Sequence, residues 1–192
     1  ADDTGILTID LSDDTGNQGT NVINVSNDDA AETWTLTGSA NIDQITGDGG
    51  TDTITGGDGA DVLNGGDGVD TVLGGTGNDK FLVAAASDIV NAGVNGIEDT
   101  LTGGGGTADE LALSSGVSIG TNVDFTNKVT QIEKVTAAGA AATAIHFTPH
   151  ASFADDTGIL TIDLSDDTGN QGTNVINVSN DDAAETWTLT GS

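Results

Sequence analysis

Between Ile45 and Phe81 a bulky apolar residue falls at every ninth position: Ile45, Ile54, Leu63, Val72 and Phe81. Each lies two residues after an aspartate and between two residues of variable character, which predicts a very short strand with its central side chain in a core. Outside this stretch the chain reads as β-structure of less regular period. Leu7, Ile9 and Leu11 alternate with Thr8 and Asp10 inside Thr4–Ser12, the pattern of a half-buried strand. Val22–Val25, Thr33–Thr37, Asp109–Leu113, Val117–Ile119, Val123–Phe125 and Val129–Val135 are further short candidates. Turn-forming clusters at Asp13–Gly19, Gly103–Gly106 and Ser114–Gly116 separate them. Ala84–Val90 predicts a helical turn or two capping the regular stretch, and Ala137–Ala144 reads equally as a small helix or a loop. With little helical periodicity elsewhere, the chain is all-β.

The residues between the apolar positions are equally regular. From Gly47 the sequence runs in nines: GDGGTDTIT, GGDGADVLN, GGDGVDTVL, GGTGNDKFL. The last three fit G-G-x-G-x-D-x-U-x, with U a large apolar residue, and the first has one glycine displaced. One step back, residues 38–46 keep Asp43 and Ile45 but lose the inner glycines; a further step puts Trp34 where the aspartate belongs. The array fades toward its N-terminal side and ends abruptly after Phe81. A longer period encloses it. Residues 154–192 repeat residues 1–39 letter for letter, an offset of 153 that points to a tandem array.

Three consecutive full matches make the nonads resemble the RTX (repeats-in-toxin) calcium-binding family over residues 38–83. The resemblance implies a parallel β-roll in which one nonad is half a coil. Successive turns then fall on opposite edges, with each calcium between a turn and its neighbour on the same edge. It places Asp43, Asp61 and Asp79 along one edge and Asp52 and Asp70 along the other, with Trp34 ending the second. Expected ligands are these five aspartates and carbonyl oxygens of Gly57, Gly59, Gly66, Gly68, Gly75 and Gly77. Two Ca²⁺ sites are expected, between the Asp61 and Asp79 turns and the Asp52 and Asp70 turns, and a weaker third between the Asp43 and Asp61 turns. Asp48, Asp58 and Asp67, lying among the glycines, are expected to point outward.

Elementary chemistry agrees with that assignment. Glycines permit tight turns that expose carbonyl oxygens, and hard oxygen donors select Ca²⁺. A flexible acidic linker would have no reason to carry a bulky residue at every ninth position. The expected organisation is a β-rich lead-in over 1–37, the roll over 38–83, and an irregular β-solenoid or β-sandwich-like lobe over 84–153. Residues 154–192 begin the next copy.

Charge sharpens the picture. Three lysines and no arginine face 31 acids, for a net charge of −28. Such a field repels phosphates and anionic headgroups, which argues against nucleic acid and membrane partners. No apolar run is long enough to span a bilayer. Without cysteine there is neither a disulfide framework nor a thiolate site.

Enzyme-like spellings carry little. Asp-Thr-Gly occurs at Asp3, Asp14, Asp156 and Asp167, without the flanking residues of an aspartic protease. His146 and His150 have i, i+4 spacing, but Pro149 opposes the helix that would align them. Asp10–Asn21 begins like an EF-hand loop and then departs from it, leaving a candidate for extra calcium there and in its copy at Asp163–Gly169. The expectation is therefore a non-enzymatic, calcium-stabilised structural repeat of a large secreted surface protein: a fibre, S-layer or adhesin stalk. Its partners are other copies of itself and its place is extracellular, at the cell surface. The RTX resemblance also implies type I secretion with folding after export. Two other readings stand beside it: a ligand-binding adhesin module, and the accessory roll of an exported enzyme.

Overall fold

The computed structural model describes residues 6–16, 19–27, 32–89, 97–114, 116–120, 125, 127–139, 144–148, 159, 161–165, 174–178 and 186–191. Its regular elements are strands β1 (Ile6–Asp10), β2 (Thr20–Asn24), β3 (Thr33–Thr37), β4 (Ile42–Thr46), β5 (Thr53–Asp58), β6 (Val62–Asn64), β7 (Thr71–Thr76) and β8 (Lys80–Val83). After a 3₁₀ turn at Ala86–Asp88 come β9 (Thr100–Gly105), β10 (Glu110–Leu113), β11 (Ser118–Ile119), β12 (Val129–Thr130), β13 (Lys134–Ala137), β14 (His146–Phe147), β15 (Thr161–Asp163), β16 (Val175–Ile176) and β17 (Thr188–Thr190).

Among the described residues every strand pairing is parallel, and consecutive strands go to different sheets through most of the stack. The first sheet runs β1-β3-β5-β7-β9-β12 and the second β2-β4-β6-β8-β10-β13-β15-β17. A third, β11-β14-β16, closes the later coils. This is a solenoid, with strands stacked as rungs. The nonads set a coil of 18 residues, since Thr53 pairs with Thr71 and Val62 with Lys80. Past Val83 the coils lengthen: Thr71 pairs with Thr100 and Lys80 with Glu110.

The apolar positions stack into columns. One runs Ile9, Leu36, Ile54, Val72, Leu101, Val129 along the first sheet. A second runs Ile23, Ile45, Leu63, Phe81, Leu111, Val135, Ile162, Leu189 along the second sheet. Most of these side chains are fully buried, each worth about 1.5–3 kcal/mol of transfer free energy. Threonines fill the outer face of the first sheet, as Thr35, Thr53, Thr71 and Thr100 in one row. On the second sheet Glu110 stands between two of the three lysines, 2.8 Å from Lys134 and 3.5 Å from Lys80. The third, Lys128, donates to the Glu98 carbonyl.

Several expectations change. The flank after Val83 takes the first of its two expected forms, an irregular solenoid, and not a sandwich-like lobe: β9 and β10 extend the same sheets as β7 and β8. Val129–Val135 is two strands in two sheets, broken at a corner where Gln131 has φ 54°. The helical turn at Ala86–Asp88 caps nothing, because the stack carries on past it. Gly103–Gly105 belongs to a strand as well as to a turn, since pairing in the first sheet runs through Gly57, Gly75 and Gly104. Of Val123–Phe125, only Phe125 is described, and it is buried outside any strand. Of Ala137–Ala144, Ala137 ends β13 and residues 140–143 lie outside the described residues, as do Pro149 and His150.

Candidate metal centre

The turns are built by glycine for two distinct reasons. At the second and fourth nonad positions φ is positive: 118° and 125° at Gly57 and Gly59, 99° and 134° at Gly66 and Gly68, 117° and 127° at Gly75 and Gly77. Only glycine adopts such angles without strain. At the first position the demand is for space. A Cβ on Gly56 would run into both Asp61 Oδ2 and the Gly74 carbonyl oxygen. Gly74 stands in the same way toward Asp79 Oδ2 and the Gly103 carbonyl, and Gly47 toward Asp52 Oδ2 and the Gly65 carbonyl. The missing side chains leave cradles in which a carboxylate oxygen and a carbonyl oxygen converge from adjacent rungs.

The aspartates form two ladders. On one edge the Asp43 amide donates to Asp61 Oδ1 (2.8 Å), the Asp61 amide to Asp79 Oδ1 (2.9 Å), and the Asp79 amide to Asp109 Oδ1 (2.7 Å). The Asp109 amide then donates to Glu133 Oε2. On the other edge the Trp34 amide donates to Asp52 Oδ1, the Asp52 amide to Asp70 Oδ1 and the Asp70 amide to Asp99 Oδ1. Trp34 thus supplies an amide but no carboxylate, and begins its ladder. One oxygen of each of these side chains is held by the neighbouring rung, except on Asp43, whose Oδ2 accepts from the Ser39 amide and hydroxyl of its own turn. The other, on Asp61, Asp70, Asp79 and Asp109, is buried with no hydrogen-bond partner, as is Asp43 Oδ1.

Seven buried aspartates, each at most 1% exposed, stand along these edges: Asp43, Asp52, Asp61, Asp70, Asp79, Asp99 and Asp109. Burial, with like charge from nearby acids added, pushes Asp61 up to about 7, Asp70 to about 8 and Asp99 to about 7. Asp52 and Asp79 are raised for the same first reason, burial. A buried carboxylate with an unpaired oxygen and acidic neighbours is a group that wants a cation. Lys80 and Lys134 are engaged by Glu110, and Lys128, bonded to the Glu98 carbonyl, eases the charge of Asp99 without reversing its shift.

Among the described residues no three acidic or imidazole side chains converge into a metal-binding group. The cradles are of another kind, with carbonyl oxygens supplementing one or two carboxylates from adjacent turns. That donor set is all oxygen, numerous and hard, which suits Ca²⁺ and not Zn²⁺ or copper. The residues present fit the ion. Asp43, Asp61, Asp79 and Asp109 would hold it along one edge and Asp52, Asp70 and Asp99 along the other. Carbonyls of Gly57 and Gly59 face the next rung at Gly75 and Gly77, whereas those of Gly65 and Gly74 face back.

The sequence-predicted aspartates all fall on their expected edges. Gly57, Gly59, Gly75 and Gly77 share one edge, with Gly66 and Gly68 on the other. Asp58 and Asp67 are exposed as expected. Asp48 is not: it is 5% exposed, its amide donates to Asp52 Oδ2, and its own Oδ2 is unpartnered. The displaced glycine of the first nonad puts Asp48 one position earlier than Asp58 and Asp67, which turns it inward.

Glu32 is likewise buried, with Oε2 unpartnered and its carbonyl packed against Gly50. In the EF-hand-like stretch, Asp10 and Asp14 accept the amides of Ser12 and Gly16, as ordinary turn-formers do.

Sequence reasoning missed Asp99 and Asp109, and a signal existed for each. Asp99-Thr100-Leu101 repeats the Asp-Thr-apolar triplet of Asp52 and Asp70 without its glycines. Gly103-Gly-Gly-Gly-Thr-Ala-Asp109-Glu-Leu111 is a nonad with one residue inserted before the aspartate. The first-position carbonyls, of Gly65, Gly74 and Gly103, were also overlooked.

Comparison with known proteins gives a family match over the same stretch. Residues 35–63, 46–81 and 64–94 each match the RTX calcium-binding nonapeptide repeat, a family profile of four copies. No curated protein and no solved structure matches the chain. The aspartate ladders, the glycine cradles and the family match coincide, and residues 35–94 are RTX calcium-binding nonapeptide repeats.

Proposed function

We propose that this chain is a non-catalytic, calcium-stabilised structural repeat of a large secreted protein, displayed at the cell surface as a fibre, S-layer or adhesin stalk. Calcium is the switch that folds it after export, and its partners are further copies of the same repeat. The observation that carries this reading is the pair of buried aspartate ladders. Rungs that bring carboxylates into register with unpaired oxygens repel one another until a cation sits between them. Cytosolic calcium is too scarce to do this, whereas extracellular calcium modules bind at about 10⁻⁴–10⁻³ M. At calcium tenfold above such a constant, each site adds roughly 1.4 kcal/mol to the folded state. A few sites together match the stability of a marginal domain.

The structural role draws further support from the verbatim 39-residue repeat. The test is a calcium titration after EDTA treatment, followed by far-UV circular dichroism, with Mg²⁺ and NaCl as controls. A cooperative coil-to-β transition near 0.1–1 mM Ca²⁺, absent with Mg²⁺, is expected. A chain already fully β-structured in EDTA would refute the switch.

A further inference from the structure

The two identical 39-residue segments occupy different environments, and each acts as a control for the other. Ile6 in the first copy is 72% exposed, while Ile159, the same residue one period later, is fully buried. Ile9 and Leu11 are partly buried, but Ile162 and Leu164 are fully so. Val22 is 66% exposed and Val175 only 38%. What covers the second copy is the end of the preceding period. Lys134, Val135 and Thr136 pair with Thr161, Ile162 and Asp163, and His146 and Phe147 pair with Val175 and Ile176. At the other end the order reverses. Leu36, under β5, is fully buried, whereas its copy Leu189 is 46% exposed.

From these pairings we infer that successive periods join as one unbroken solenoid, the free edges of β1 and β2 being the docking surface for β13 and β14 of a preceding copy. The inference rests on the tandem-array reading above and names the contact by which copies meet. The register follows from the second copy: Thr8, Ile9 and Asp10 take Lys134, Val135 and Thr136, and Val22 and Ile23 take His146 and Phe147.

Two geometric consequences distinguish this from beads on a string. The first sheet contains six strands of one period, β1, β3, β5, β7, β9 and β12, and the second also contains six before β15. One period is therefore six rungs, about 29 Å of stack at a rung spacing of about 4.8 Å. Moreover, β1 lies in the first sheet but its copy β15 in the second, and β2 lies in the second but its copy β16 in the third. Among the described residues the first sheet ends at β12. Each period thus hands the roll over to the next face, so the array steps sideways once every 153 residues instead of running as a straight rod.

The absence of cysteine makes the seam directly testable. Directly paired strand positions lie at a separation that a disulfide can bridge. In the 192-residue chain with calcium, Lys134→Cys with Thr161→Cys should oxidise to an intramolecular disulfide. Lys134→Cys with Thr8→Cys, chemically the same pair one period out of place, should not. Ile159→Asp should raise the calcium midpoint several-fold while Ile6→Asp leaves it within about twofold.

A chain lengthened by one period should scatter X-rays as a body about 29 Å longer, with a lower calcium midpoint, because stacked repeats stabilise one another. Absence of the 134–161 disulfide while the calcium transition persists overturns the seam and leaves the functional reading standing. Loss of both overturns both.

Discussion

Replacing Asp61 by asparagine should change stability in opposite directions with and without calcium. Asp61 Oδ1 accepts the buried Asp43 amide, and Oδ2 faces the cradle beside Gly56 without a partner. Asparagine keeps the size and the acceptor but removes the charge. In the metal-free fold that charge is a burden, since burial first, and then Asp79 and Asp43, lift the carboxyl from 3.8 to about 7. At pH 8 the ionised group therefore disfavours the metal-free fold by up to about 4 kcal/mol. The new amide N–H₂ costs about 1–3 kcal/mol where the Gly74 carbonyl of the cradle does not accept it. The balance stabilises the metal-free fold by about 1–3 kcal/mol.

With calcium tenfold above its dissociation constant, losing a site costs roughly 1.4 kcal/mol. The loss is about double if Asp61 serves cradles toward both Asp43 and Asp79. The assay is far-UV circular dichroism of both proteins at pH 8. One set is in EDTA with sucrose, an excluded osmolyte that brings the metal-free fold into range, and the other is a calcium titration. The variant should show more β-structure at zero calcium and a higher calcium midpoint. Equal destabilisation under both conditions would refute the reasoning, making Asp61 a structural acceptor and not a ligand.

Position within the turn should matter as much as charge. Asp70→Ala should raise the calcium midpoint several-fold and Asp58→Ala hardly at all, because Asp58 is exposed and its carboxylate accepts the Thr76 hydroxyl; equal shifts in a titration would mean diffuse screening. Gly75→Ala, at φ 117° and against the Gly57 carbonyl, should cost more than about 2 kcal/mol in calcium-saturated denaturant melts. Gly120→Ala, with nothing within 4 Å, should be close to neutral in the same melts.

The metal-free chain should gain β-structure as pH falls from 8 toward 5. Asp61, Asp70 and Asp99 bind protons at about 7–8 when folded but near 3.8 when unfolded, so protons favour the fold across that window. Circular dichroism in a chelator effective at both pH values reads this, and a flat or falling signal counts against it.

The nonads were legible because glycine, aspartate and one apolar residue each answer a separate demand of the same turn, and nine residues hold all three. Ile45, Ile54, Leu63, Val72 and Phe81 could be placed in a core from spacing alone. Beyond Phe81 the sheets persist but the spacing does not. A parallel rung needs only a core residue above a core residue, and the loop between them is free to vary in length. Leu101 therefore lies over Val72 after 29 residues, and Leu111 over Phe81 after 30. Asp99 and Asp109 went unread for that reason. The break of Val129–Val135 at Gln131 lies in the spacing of the apolar residues, which the reading of a single strand passed over. It is a backbone corner, and its trace is that Val129, Ile132 and Val135, all buried, fall three apart, which one strand cannot bury on one face.

The strands lie across the long axis of the stack, and this governs how the molecule would bear a load. Tension applied through the chain ends would act on the terminal rung alone, peeling it from its neighbour while the rest stays intact. Each 18-residue coil in the nonad region, once freed, extends to roughly 60 Å of chain. Detaching it would also pull two turns away from the ions beneath them. Such a stack would yield in small, repeated steps, reseal when slack returns, and stiffen or soften with the calcium around it.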